Sequence, residues 1–524
     1  MSAGRPLPVS VVASAIAVLA LIASFGWLCD DAYITLRVAD NLWHGYGLRW
    51  NVIERVQVFT HPLWMLVVAA AYGVTREAYW TLLGVSLAAV AWLLRVLVRD
   101  IAATREAAWV GLAVLAGSKA FVAFSTSGLE NPLTNLLLVL WLRAAWMPPA
   151  SASAWAISTL AALVALCRLD LLPLMGPLWL TAIGALVTQD IAGRRRRLAA
   201  ALLGWWPLVA WLAFAWVYYG TPVPNTAPAK LPQNVSGLLL ARHGGWYLLD
   251  SLLTDSVTFV TIAAALVHAL LTPGRRATGI GLGAGLAVIV TVGGDYMTGR
   301  FLTPAFTVAV CYLARHVEWA PQKALAAAVA ALAVGIALPD SPLRVWNHGL
   351  EQVPFLEHGH GIANERVFYV AQTGVWSQRR NRRPADHPWA MAGHDHRFHP
   401  GVYTFGGVGL MGYFGGPGVH LLDPMALTDP LLARLPTEGP WRIGHFPRPL
   451  PAGYEDTVRG CLALLFPDKR ITPPGRACID DPRFVNRITD PAIAAEYRQR
   501  AVLAQLALTD RRRLPALLGV GVTR

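Results

Sequence analysis

Charge is scarce in this chain. Asp, Glu, Lys and Arg make up 14% of its 524 residues, while 55% are hydrophobic. That shortage excludes an ordinary soluble globule and points to a polytopic membrane protein. Metal-ligand spacing is also lacking among the five cysteines. Cys29, Cys167 and Cys311 stand alone in or beside apolar runs, so no zinc or iron–sulfur site is implied. No internal repeat is visible, which argues against the inverted repeats of a transporter. A continuous basic face is missing too. The net charge is +13, but Lys and Arg sit in short clusters between apolar runs, where they orient helices. Nucleic acid is therefore not an expected partner, and the lipid bilayer is.

The apolar runs can be read as spans at about residues 8–28, 78–95, 107–125, 132–146, 152–168, 171–188, 198–218, 251–271, 278–293, 303–315 and 323–338. That is about eleven transmembrane helices. The first run lacks a clear cleavage site and leads straight into acidic residues, so it reads as a retained helix rather than a signal peptide. The run His61–Gly73 is too short for a span and reads as a juxtamembrane helix. With the N-terminus inside, the arginines at 95, 99, 105, 143, 194–197, 275, 276 and 315, with Lys323, all fall in cytoplasmic turns. The opposite face then collects Asp30, Asp31, Asp40, Glu54, Glu130, Arg168 with Asp170, the loop 218–230 and the loop 293–304.

From residue 339 the composition changes. Spans stop, and turn signals such as Gly406-Gly407 and Gly415-Gly416-Pro417-Gly418 appear. Two domains are expected: a transmembrane part over 1–338 and an extracytoplasmic part over 339–524. Short apolar runs at Val419–Leu422 and Leu462–Phe466 suggest that the latter is mixed α/β. Cys461 and Cys478 share that polar region and would form a disulfide if it is exported.

The acidic face holds the residues capable of chemistry. Asp30 and Asp31 are adjacent at a membrane exit, and each charge there needs water or a partner. Partial burial and a like-charged neighbour both raise a carboxyl pKa toward working pH, as a general base for a hydroxyl requires. A purely structural role, as an N-cap or an ion pair with Arg37, is the alternative. In Gly293-Gly294-Asp295-Tyr296-Met297-Thr298-Gly299-Arg300, glycines and two opposite charges break an apolar stretch. Arg300 is placed to hold a phosphate with Asp295 orienting it, or the two form a plain salt bridge. The proline-stiffened segment Tyr218–Lys230 puts a cation, Lys230, beyond it. Trp27, Trp43, Trp64 and Tyr33 are candidates to stack on sugar rings or to anchor the loop at the interface. His394-Asp395-His396-Arg397-Phe398-His399 contains metal-ligand residue types, but its spacing matches no standard site and it reads as a solvated loop.

Taken in order, several segments resemble one family. They are Asp30-Asp31-Ala32-Tyr33-Ile34-Thr35-Leu36-Arg37, Glu54-Arg55-Val56, Thr60-His61-Pro62-Leu63-Trp64, Ser127-Gly128-Leu129-Glu130, Pro224-Asn225-Thr226-Ala227-Pro228-Ala229-Lys230, the 293–300 loop, Asp423-Pro424-Met425-Ala426-Leu427-Thr428-Asp429-Pro430 and Gly444-His445-Phe446. The resemblance is to the actinobacterial terminal arabinofuranosyltransferases (AftB type). Three positions depart from that pattern: His61 replaces asparagine, Leu169 proline and Ala426 glycine. The resemblance implies a C-type (GT-C) glycosyltransferase fold and a polyprenyl-phosphate sugar donor, here decaprenyl-phosphoryl-arabinofuranose. It also implies a cell-envelope glycan acceptor and an essential first-loop aspartate. Asp30 is then the expected base with Asp31 as its partner, and Arg300, Lys230 and Arg37 the expected phosphate-binding cations. Tyr33, Trp43, His61, Trp64, Glu130, Asn225, Asp295 and Tyr296 are the expected substrate contacts. No metal ligand or organic cofactor is expected from the sequence, and dependence on a divalent cation is left open. The rival readings are a transferase for another lipid-linked sugar or a pilin acceptor, a transporter or flippase, and a scaffold.

Overall fold

The computed structural model describes residues 8–232, 234–338, 340–344, 360–379, 383–468, 470–473 and 476–518. The expected boundary at residue 339 lies outside these. The chain is mostly helical and forms two compact units. The first comprises Met1–Cys29, Leu82–Val209 and Gly237–Arg382. The second comprises Asp30–Thr81, Ala210–Ser236 and Arg383–Arg524, so the first acidic loop and the proline-rich segment fold with the C-terminal part.

Among the described residues, three helices are long and apolar enough to cross a membrane: Tyr79–Ile101, Leu169–Gln189 and Arg194–Tyr219. A fourth is reached if Gly237–Thr254 and Ser256–Leu271, bent by 111°, count as one broken span. The apolar helices Val9–Ser24, Pro62–Thr75, Ala154–Cys167, Arg276–Thr291 and Pro321–Ala337 are shorter. Sixteen helical residues rise about 24 Å, less than the roughly 30 Å hydrocarbon core. The count of eleven spans is thus not reached by length alone. Runs that look continuous in sequence are interrupted where a polar side chain caps a new helix. In the 107–125 run, the Ser118 hydroxyl accepts from Phe121 N and starts Lys119–Phe124 after Arg105–Gly117 ends. In the 251–271 run, Asp255 accepts from Thr258 N at the bend.

The first unit packs its helices closely on small residues. Arg105–Gly117 and Pro321–Ala337 cross with Gly117 against Gly335, where a side chain on either would meet the other's backbone. Such contacts suit helices in lipid, where association depends on tight backbone approach. In the second unit, Asp30–Trp43 packs on Pro62–Thr75 and on Val408–Gly415. Trp43 lies over Gly73, with its indole N–H donating to Ala69 O at 2.7 Å.

Strands β1 (Gly401–Thr404) and β2 (Val419–Leu422) pair in parallel, Gly401 opposite Val419. Parallel neighbours need a crossover, and the helix Val408–Gly415 supplies it. β2 is buried throughout and joins Val52, Ile53, Ala229, Leu432, Tyr454, Val458 and Tyr497 in the core of this unit. Leu462–Phe466, read as a short apolar run, is the end of the helix Tyr454–Leu465. Cys461 on that helix is disulfide-bonded to Cys478, 17 residues on, with Cα atoms 5.3 Å apart.

Ala426 has φ of +62°, the left-handed region. Glycine is what the resemblance leads one to expect here, and the cost of a Cβ at such a φ is roughly 1–2 kcal/mol. The Ala426 N–H donates to Asp423 O at 2.8 Å, which holds the turn in place. Ala426→Gly is expected to stabilise the protein, by about 1 kcal/mol after the entropy lost to glycine. Thermal unfolding in detergent should show the gain, and an unchanged or lower midpoint would contradict the strain.

Candidate functional site

The second unit buries the carboxylate of Asp30 against a helix distant in sequence. Asp30 opens the helix Asp30–Trp43, yet its side chain serves the start of another. Its Oδ2 accepts from Gly409 N at 2.9 Å and its Oδ1 from Leu410 N at 2.6 Å, both in the first turn of Val408–Gly415. Gly409 has to be glycine, because any Cβ would collide with the Asp30 carbonyl. Asp30 is only 6% exposed. Burial pushes its carboxyl up to about 7, the charges of Asp31 and Asp423 push the same way, and the two N–H bonds oppose them. The structural alternative read from the sequence, a cap, is therefore realised, though on a helix distant in sequence. A carboxylate fixed in direction and poised near neutrality also has the properties of a general base.

The second unit buries other acids, of which Asp423 acts on Asp30. Burial raises Asp423 to about 7, Asp429 to about 6 and Glu54 to about 8. Asp423 accepts from Met425 N at 2.9 Å and Thr428 N at 3.1 Å. Asp429 accepts from Leu431 N, Leu432 N and the Tyr454 hydroxyl, the last at 2.8 Å. The loop 423–430 thus bonds its own N–H groups. Its carbonyls go to Asn225, whose Nδ2 donates to Ala426 O, Leu427 O and Asp429 O at 3.0, 3.2 and 3.0 Å. Asn225 N donates in turn to Gln57 O at 2.9 Å, so three motif segments meet at one amide.

Several expected site residues are occupied in holding this arrangement. Arg37 is 2% exposed, donates to Val419 O at 2.6 Å and lies 4.2 Å from the Trp50 ring centre. Tyr33 packs on Tyr413 and Phe414, and Trp64 is fully buried. His61 Nε2 lies 3.0 Å from the Thr35 hydroxyl. Only Trp43 is substantially exposed, and Arg76 covers its ring at 4.8 Å.

Asp31 faces different company. It and Lys230 are half-buried, and both act electrostatically on His445. Burial, then Arg442 and Lys230, push that imidazole down to about 3, with Asp31 opposing. His445 sits in a tight turn around Gly444, its N–H donating to Arg442 O at 2.9 Å. Arg448 ties the turn to the Lys230 segment by donating to Phe446 O at 2.5 Å and Pro228 O at 3.3 Å. Sequence reasoning passed over His445, Asp423 and Asp429 as site residues. An Asp-Pro at each end of the 423–430 loop was the available signal.

In the first unit, the glycine-broken loop is shaped by positive φ at Gly293, Gly294 and Gly299. It brings Arg300 Nε within 2.9 Å of Asp295 Oδ2, as the charge pair suggested. Tyr296 O accepts from Ala363 N at 2.9 Å. The Tyr247 hydroxyl closes the loop, donating to Met297 O and accepting from Phe301 N. Arg168 grips Asp170 with two bonds of 3.1 and 2.5 Å. Arg168 and Arg300 lie 4.3 and 5.1 Å from the Phe301 ring centre, and Glu130 is buried near Arg168. Among the described residues, no group of three or more His, Cys, Asp or Glu side chains is placed to hold a metal. In the 394–399 segment, His396 stacks on Tyr403 at 4.1 Å.

No family model matches the chain. Two curated proteins named terminal beta-(1->2)-arabinofuranosyltransferase are similar to it. That of Mycobacterium tuberculosis is 32% identical over 224 residues, 39% of this chain and 35% of the relative. That of Corynebacterium glutamicum is 27% identical over 335 residues, 54% of this chain and 47% of the relative. The chain therefore spans between a third and a half of the length of these relatives. The resemblance read from the ordered motifs is borne out by their names. A solved structure of ArnT from Cupriavidus metallidurans bound to undecaprenyl phosphate aligns with 79% of this chain and 85% of its own, at 14% identity and a TM-score of 0.46.

The buried acids make a pH prediction. Asp30, Asp423, Asp429 and Glu54 hold protons more tightly folded than unfolded, so their contribution to stability is full below the unfolded values near 4. It is lost as pH rises through about 6 to 8. The thermal midpoint in detergent should fall between about pH 5.5 and about pH 8.5, and Glu54→Gln should flatten the fall. A midpoint that rises over that interval would show that these carboxyls are ionised in the fold.

Proposed function

We propose that this chain is an integral membrane glycosyltransferase that moves arabinofuranose from decaprenyl-phosphoryl-arabinofuranose to an arabinan or other envelope glycan at the extracytoplasmic face. The observation that carries this reading is Asp30: a buried carboxyl beside a second carboxylate, aimed by two backbone N–H groups and raised to about 7. The acceptor hydroxyl gives its proton to Asp30 as its oxygen bonds to the anomeric carbon. The bond from that carbon to the phosphate oxygen breaks, and the lipid phosphate leaves with the electron pair. Arg300 and Lys230 are the cations proposed to take up the phosphate charge, because fixed positive charge is worth most where negative charge develops. Arg37 remains a proposed phosphate ligand: its Nη2 bonds Val419 O, while its Nε and Nη1 make no hydrogen bond among the described residues. Tyr33, Trp64 and Asn225 shape the site through packing and hydrogen bonds, and Trp43 and Glu130 remain proposed sugar contacts.

In a membrane assay with labelled donor and arabinan acceptor, Asp30→Asn is expected to lower turnover by about 100- to 10,000-fold, and Asp31→Asn by less. The pH profile separates chemistry from capping. Wild-type activity should rise with pH as Asp30 ionises around 7. Asp31→Asn removes a charge that raises Asp30, so the rising limb should move to lower pH. If that limb stays in place, Asp30 is a structural cap and not the base.

Arg300→Ala should weaken use of the donor more than use of the acceptor. Arg300→Lys should restore part of the loss, since a point charge replaces the planar fork. Unchanged donor saturation and turnover in Arg300→Ala would make the Arg300–Asp295 pair structural and leave Lys230 and Arg37 as the proposed phosphate ligands.

A further inference from the structure

The second unit contains a basic pocket that the proposed reaction does not use. It is a small, partly open cleft with a cavity volume of about 30 Å³, lined by Arg55, Gln57, Tyr219, Asn225, Arg434 and Arg500, among others. Three guanidinium groups line one small cleft, and their charges are thinly compensated. Arg55 is 4% exposed and spends its bonds on backbone carbonyls: Tyr218 O at 3.0 Å, Leu503 O at 3.0 Å and Leu506 O. Arg434 donates to the neutral amide oxygen of Asn225 at 3.1 Å. Among the described residues neither makes an ion pair. Only Arg500 does, with Glu496 at 2.6 Å. Arg55, buried, and Arg434, half-buried, both lack a carboxylate partner among the described residues, and such cations call for an anion. A second observation comes from Gln57, 2% exposed on the same wall, whose Oε1 has no hydrogen-bond partner. An amide oxygen can only accept, so a ligand with a donor, such as the hydroxyl of a protonated phosphate, would satisfy it.

Position tells which anion. Tyr219, on the pocket wall, is the last residue of the 26-residue apolar helix Arg194–Tyr219. The end of that helix is ringed by aromatic contacts among Phe59, Trp211, Phe214, Tyr218 and Tyr219. Aromatic girdles of this kind mark the membrane–water boundary. Arginine forks suit phosphate geometry. We propose that this pocket binds the phosphate headgroup of a membrane lipid, held by Arg55, Arg434 and Arg500 with Gln57 accepting from a hydroxyl of the headgroup. This goes beyond the transferase reading and is tested by binding, so the two can fail separately.

The test uses the full chain in nanodiscs of zwitterionic lipid, titrated with dioctanoyl phosphatidic acid, dioctanoylglycerol or inorganic phosphate, with bound ligand read by native mass spectrometry. Phosphatidic acid should bind, and dioctanoylglycerol should not. Arg500→Gln and Arg434→Gln should each weaken binding by roughly tenfold, the loss expected for one charge-assisted hydrogen bond. Arg500 holds no residue of the 423–430 loop, so its variant guards against misfolding in Arg434→Gln, and Arg434→Lys should recover part of the affinity. Equal binding of dioctanoylglycerol, or wild-type affinity in both glutamine variants, overturns the proposal. Inorganic phosphate binding as tightly as phosphatidic acid overturns its lipid part and assigns the pocket to a soluble anion.

Discussion

The bond pair from Gly409 N and Leu410 N to the Asp30 carboxylate is the constraint on which the second unit turns. It fixes the start of Val408–Gly415 against the start of Asp30–Trp43. The rest of the first helix's inner face then follows the second. Tyr33 meets Tyr413 and Phe414, and Arg37 reaches across to Val419 O. Gly412 is open to that reach, since a Cβ there would touch the Arg37 side chain. The helix Val408–Gly415 is also the crossover between β1 and β2, so the same two hydrogen bonds position β2, the most buried element of this unit.

Burying four acids costs stability, and the arrangement limits the cost by backbone hydrogen bonds rather than by salt bridges. Asp30, Asp423 and Asp429 each accept from at least two N–H groups. Among the described residues none of these three makes an ion pair with Lys or Arg. An arginine partner would pin a carboxyl well below neutrality, whereas N–H donors orient it while burial keeps its proton affinity high. That combination is what proton transfer near neutral pH requires. Asp481, which the exposed Arg476 and Arg483 bridge, shows the opposite choice: its carboxyl is held below the usual carboxylate range by Arg483.

Much of this was legible in the sequence, and particular residues show where legibility ended. The aspartate pair, the glycine-broken loop and the proline-stiffened segment each stood out because they violate the rules of an apolar helix, and each carries a built feature. The Arg300–Asp295 pair was readable from charge and spacing alone. What sequence could not give was partnership across several hundred residues. Nothing in Asp30-Asp31 says that the carboxylate caps a helix beginning at Val408, and nothing in Asn225 says that it serves the carbonyls of a loop 200 residues away. Arg37 and Asn225 read as ligand contacts because they are polar in a motif. Both also bond the backbone of a junction of irregular loops, whose carbonyl groups side chains must satisfy. Helix lengths were hard to read for a related reason. Polar residues inside apolar runs, Ser118 and Asp255, cap new helices and divide the runs.

Ala426 shows how such a junction tolerates local strain. Its left-handed φ favours glycine, yet the loop keeps its shape. Five constraints bear on this stretch independently: the Ala426 N–H to Asp423 O, the Met425 and Thr428 N–H groups to the Asp423 carboxyl, and Asn225 to two successive carbonyls. Strain at one residue persists when its surroundings over-determine the backbone. The strain of about 1–2 kcal/mol is small against several hydrogen bonds of about 1 kcal/mol each. The alanine therefore lowers stability without moving Asp423 or Asp429. A substitution at Asn225 would act differently, because it removes three acceptors' partner at once and lets the loop beside the Asp30 carboxyl relax.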